Sequence, residues 1–181
     1  MFLIPIIDGT ANLDRYESAV PLEMFFSLIG IVMLTPVFAP EQNADIDDLV
    51  SSKYVGTVKI YLIRTVYSII VVALFTGLLS VYMSIRNCDV TPELMAGTLC
   101  DAVFLGSLGM VTSSICNNTV IAYMIPLVYY ALNYGMGDRL KKYYLFSMAA
   151  GEFEPKIWML ITGILLITAS ILLRAAQKKF R

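Results

Sequence analysis

Residues 60–85 read IYLIRTVYSIIVVALFTGLLSVYMSI, 26 positions with a single charge, Arg64. At about 1.5 Å per residue, a helix of this length is longer than the ~30 Å hydrocarbon core of a bilayer is thick. The run therefore reads as a membrane-spanning helix that tilts or protrudes. The rest of the chain agrees. It is 58% hydrophobic and only 15% charged, where a soluble domain carries about 25% charged residues. Its excess apolar side chains need a solvent other than water, and lipid is the simplest one.

Working outward, a span over 20–39 is closed by Pro36 and Pro40, with Glu23 near its start and within reach of the headgroups. A third span, 94–115, follows Thr91-Pro92-Glu93, a good helix start: a hydroxyl N-cap, proline at the first helical position, then an acid at the positive end of the dipole. Asn117-Asn118 makes a short break. The fourth span, 119–135, carries Pro126 in its middle, which removes a backbone hydrogen bond and marks a kink or hinge. The fifth, 157–173, is opened by Pro155 and ended by the basic residues Arg174, Lys178, Lys179 and Arg181. The expected fold is thus an all-α membrane protein, a bundle of about five transmembrane helices over residues 20–181, behind a short N-terminal segment, 1–19.

Two connections are long. Residues 40–59 are polar and acidic, and within them Ile46, Leu49, Val50 and Lys53 fall at helical spacing, so 44–53 reads as a short amphipathic helix. Residues 142–150, KYYLFSMAA, are too apolar for an open loop and too short to span, which predicts an interfacial or re-entrant helix.

Several function classes are excluded. A net charge of −1 offers no basic stripe for nucleic acid. The chain has no histidine, which removes Ser-His-Asp, Cys-His and HExxH designs. Cys88, Cys100 and Cys116 match no zinc spacing and read as small apolar residues. There is no GxxxxGK[ST], so any ATP must be bound by another polypeptide.

Asp101 is the main anomaly. It lies about 12 Å into the third span, where a carboxylate must face protein or a water-filled cavity. It reads either as a polar point in a transport path or helix–helix anchor, or as a carboxyl satisfied by a neighbouring Ser, Thr or Tyr. Arg64 sits near the other end of its span and is expected to snorkel to the headgroups rather than reach Asp101. Ala102/Gly106, Gly109/Ser113 and Ala73/Gly77 are small residues four apart, fit for close helix approach within a subunit or between subunits. Tyr129, Tyr130, Tyr134, Tyr143, Tyr144 and Trp158 fit an aromatic belt at one membrane face, or a substrate lining.

The stretch Pro40-Glu41-Gln42, Ile46-Asp47-Asp48-Leu49-Val50, Ser51-Ser52-Lys53 and then Arg64 resembles the first cytoplasmic loop of ABC-2 type transporter permeases, the membrane subunits of bacterial ABC transporters. Tyr123-Met124-Ile125-Pro126-Leu127 and Tyr144-Leu145-Phe146-Ser147-Met148 are also similar to such permeases, and the resemblance spans roughly residues 20–181. The resemblance implies a six-span subunit working as a homo- or heterodimer in the cell membrane, with a cytoplasmic coupling helix seated on a separate ABC ATPase that holds ATP-Mg. It also implies an extracellular re-entrant segment before the last span. Residues 44–53 occupy the coupling position and 137–154 the re-entrant one. Glu41, Ile46, Asp47, Asp48, Leu49, Val50 and Lys53 would then meet the ATPase. The family's first span has no counterpart here. The expected function is a non-enzymatic permease subunit of an ATP-driven exporter, binding no cofactor itself; the alternative is a non-transporting membrane scaffold, regulatory or immunity-type protein.

Overall fold

A computed structural model describes residues 13–43, 46 and 56–179. The chain is an all-α membrane protein, with no strand among the described residues. Among the described residues, four helices are long and apolar enough to cross a bilayer: Arg15–Gln42, Thr57–Ile85, Pro92–Cys116 and Glu154–Lys178. A further helix, Thr119–Met136, is the expected fourth span but is shorter, 18 residues, or about 27 Å at helical rise. It holds four tyrosines and Asn133 but no charged residue.

The first span is broken into pieces. α1 (Arg15–Pro21) runs into a widened π-helical turn (Leu22–Phe26), then α2 (Leu28–Leu34) and a tight 3-10 stretch (Thr35–Gln42). The prolines explain the pattern. Pro21 lacks an N–H just before the π turn, and Pro36 and Pro40 prevent regular α-helix in the last stretch. The span begins five residues earlier than its hydropathy suggests and takes Glu23 inside, rather than leaving it at the headgroups.

α3 (Thr57–Ile85) is one unbroken helix. α4 (Pro92–Cys116) starts with Thr91 at the N-cap. The Thr91 hydroxyl makes no capping bond; its carbonyl accepts from Leu94 N and Met95 N instead. The Asn117-Asn118 break is resolved residue by residue. Asn117 takes the left-handed conformation (φ 49°) that ends α4. Asn118 then caps α5 (Thr119–Met136), its Oδ1 accepting from Val120 N at 2.9 Å. A 3-10 helix (Gly137–Tyr143) and a stretch of turns lead to α6 (Glu154–Lys179).

The alternating direction of these helices gives the bundle two ends. At the near end, Arg15 pairs with Glu93, and Asp89 N donates to Leu13 O at 3.1 Å. At the far end, Thr119 Oγ1 donates to Gln42 at 2.7 Å, and Gln177 Nε2 to Ser114 O at 3.1 Å. α4 is the central helix: 67% of its apolar window is buried, against 28% for α3. Small residues permit this. A Cβ on Gly30 would collide with the Ala102 carbonyl, and one on Gly106 with Gly30 O and Leu34, so the first span and α4 touch backbone to backbone. Gly163 brings α6 close to Phe104, whose Cα would lie 3.3 Å from an added Cβ, a looser approach than at Gly30. Ala102/Gly106 thus packs inside the subunit, whereas Gly77 meets nothing within 4 Å. α3, α5 and α6 turn outward large apolar side chains, such as Tyr67, Leu78, Val120 and Leu165, the surface a bilayer would solvate.

Candidate functional site: a buried charge cluster

Three charged side chains from three separated parts of the chain meet inside the near half of the bundle. Glu23 comes from the π turn of the first span, Asp101 from the middle of α4, and Lys156 from the first turn of α6. Lys156 Nζ lies 2.8 Å from Glu23 Oε1 and 2.7 Å from Asp101 Oδ2. Glu23 and Asp101 are 0% exposed and Lys156 is 3% exposed. Lys156 also donates to Leu145 O, so its three ammonium hydrogens each have a protein acceptor. Glu23 accepts in addition from Met148 N (2.8 Å) and Ala149 N (3.1 Å). Asp101 Oδ1 is buried without a hydrogen-bond partner.

The carboxylate of Asp101 is therefore paired through Oδ2 with a lysine and not with Ser, Thr or Tyr, and Glu23 sits in the protein interior. Both belong to one network that ties the first span, α4 and α6 together. The network also corrects the reading of residues 142–150. They do not form a helix; beyond Tyr143 they are turns and irregular backbone, with Leu145, Phe146, Ser147 and Met148 all buried. Charge makes this possible. Irregular backbone at membrane depth needs protein partners for its polar groups, and Glu23, Lys156 and Asn133 Oδ1 (2.9 Å from Leu145 N) supply them. Gly97 leaves space for Met148, since a Cβ there would strike its sulfur.

The tyrosines divide between two roles. Tyr129 donates to Tyr143 O and Tyr130 to Met24 O, each at 2.6 Å. Tyr130, Tyr134 and Tyr144 all present edge-on geometry to Phe146. Trp158 stays exposed, with Lys142 above its ring, as a belt residue would.

A second pair lies at the far end. Arg64 Nη1 is 3.0 Å from Glu41 Oε1 and donates to Val37 O at 3.3 Å. Arg64 keeps 31% of its side chain exposed while that of Glu41 is fully buried. Arg64 thus stays away from Asp101, but it pairs with Glu41 and does not simply extend to the headgroups. The Glu41 side chain is turned inward. Of the other residues expected from the resemblance to meet an ATPase, Ile46 is 37% exposed, and Asp47, Asp48, Leu49, Val50 and Lys53 lie outside the described residues. Pro126 is buried within α5, which remains helical across it.

Sequence reasoning singled out Asp101 and missed its partners. Glu23 and Lys156 both resemble ordinary flanking charges. The usable signal is that two acids and one base lie within or beside spans at the same membrane end. Among the described residues, no three His, Cys, Asp or Glu side chains are grouped to hold a metal ion. Comparison with protein-family models, with curated proteins and with solved structures gives no match.

Proposed function

We propose that this chain is a permease subunit of an ATP-driven exporter of the ABC-2 type, acting in the cell membrane with a second permease subunit and a cytoplasmic ABC ATPase. The observation that carries the reading is topological. Gln42 and Thr57, the helix ends that flank the middle of the 40–59 stretch, lie at the far end, while residues 137–153 fold into the near end. A coupling loop facing the ATPase and a re-entrant segment facing outward require such opposite placement. α6 follows that inserted segment directly, with Lys156 in its first turn joining both to the core. Movement driven at the far end would reach the near end through α3, α4 and α6.

The test is replacement of 44–53 by a scrambled sequence, followed by affinity purification of the full-length protein in mild detergent. The ATPase should co-purify with the native chain and be lost from the scrambled one, while both elute as monodisperse species. Retention of the ATPase by the scrambled chain refutes the coupling role.

A non-transporting scaffold, regulatory or immunity-type protein is the second reading. Lys156 favours it, because an ammonium whose three hydrogens all meet protein acceptors acts as a structural tie. Failure of any ATPase to co-purify with the native chain would select it.

A further inference from the structure

We propose that the near-end cluster is a proton-binding site: Asp101 carries a proton on Oδ1, and the cluster as a whole is neutral. The site stands on charge and geometry alone and requires no ATPase. Its members do not balance as ions. Two carboxyl groups, both 0% exposed, face one ammonium that is 3% exposed. With all three ionised, one negative charge is left in the bundle interior away from solvent, a cost that one added positive charge removes. No second cation among the described residues lies within ion-pair distance. Arg15 is paired with Glu93, Arg64 with Glu41, and Lys142 lies over Trp158. Residues 65–85 of α3 include no charged side chain. The Cys100 thiol and the Tyr129 hydroxyl, which also face the cluster, are uncharged at neutral pH.

The proton belongs on Asp101 rather than on Glu23. Glu23 accepts from Lys156 Nζ, Met148 N and Ala149 N. Both of its oxygens face N–H donors, so a carboxyl proton on either would meet a donor and not an acceptor. Asp101 has one donor, Lys156 Nζ on Oδ2, and Oδ1 is buried without a partner. A proton on Oδ1 leaves Oδ2 its bond to the lysine. An unpaired neutral O–H there costs far less than an unpaired charge. The site also bears on packing. Asp101 precedes Ala102, whose carbonyl lies against Gly30 of the first span, and Glu23 belongs to that same span. Loss of the proton sets two carboxylates against each other across this contact, so proton occupancy governs how tightly the first span and α4 close. An acid that gains and loses a proton inside a membrane bundle has the chemistry of a proton relay.

The test is infrared spectroscopy of the purified full-length protein in detergent at neutral pH. The native chain should show the carbonyl band of a protonated carboxyl group, and Asp101→Asn should remove it. Glu23→Gln should remove it as well, because Asp101 and Lys156 then balance without a proton. Growth on isotope-labelled aspartate should shift the native band, and labelled glutamate should leave it in place. Thermal scans give a second reading. The protonated cluster is the stable form, so the native chain should lose stability as pH rises through the titration of Asp101. Asp101→Asn, which imitates the protonated acid, should melt at one temperature across that range. Absence of the band from the native chain overturns the proposal, and so does a band that shifts with glutamate. Stabilisation by sodium or potassium at constant ionic strength, with no band, would put a metal cation in place of the proton and overturn it too. Should Asp101→Asn fail to fold, the isotope shift of the native chain decides alone.

Discussion

At the scale of single residues, the near-end charge cluster and the far-end pair differ in what each member supports. Removing Lys156 leaves Glu23 and Asp101 facing each other without a cation, and breaking a buried pair from one side costs about 3–5 kcal/mol. Lys156→Met should therefore lower thermal stability in detergent sharply, whereas Asp101→Asn, which keeps an oxygen for the ammonium, should cost much less. Thermal scans followed by size-exclusion chromatography would measure both, and a native-like Lys156→Met would remove the cluster from the account of stability. The far-end pair calls for a double-mutant cycle. Arg64→Ala should destabilise by stranding the buried Glu41, and Glu41→Gln added to it should recover part of the loss; additive effects would mean that the two residues do not interact. Asp101 was legible from the sequence because a carboxylate deep in an apolar run contradicts its surroundings. Glu23 and Lys156 were not, because each is anomalous only once its span is correctly bounded. Their pairing also joins positions 133 residues apart, a separation that local pattern does not record.

At the scale of elements, hydropathy located every long helix because the solvent contrast between lipid and water is large. Boundaries failed where proline and charge act together, as in the first span, whose π turn buries Glu23. The segment after Tyr143 failed for another reason: its apolar composition signals burial but not secondary structure, and its backbone is satisfied by distant side chains. Small residues show the same division between what composition and packing can say. Gly30 and Gly77 are both glycines within spans, yet only Gly30 touches another backbone. Gly30→Ala should push the first span away from α4 and cost about 1–3 kcal/mol or more. Gly77→Ala should leave the melting temperature unchanged or slightly raised, since alanine suits a helix better. Equal destabilisation by both would place the Gly77 face against a neighbour and identify it as an interface.

At the scale of the whole molecule, orientation is the property that the proposed function most depends on. By sequence, seven Lys and Arg belong to the far end and six to the near end, too small a margin for the positive-inside bias to act on. The structure does not widen it, because Lys156 is buried at the near end and Arg174 at the far end. The proposed function requires the far end to face the cytoplasm. Cys116 reports on this directly, being exposed at the far end, while Cys88 is buried. In cells expressing the chain with Cys100→Ala, a membrane-impermeant maleimide should label Cys116 only after the membrane is permeabilised. A cysteine introduced at exposed Glu152, at the near end, should label in intact cells. Labelling of Cys116 from outside would turn the 40–59 loop away from the cytoplasm. It would end the coupling reading outright and leave the bundle and its charge cluster as they are.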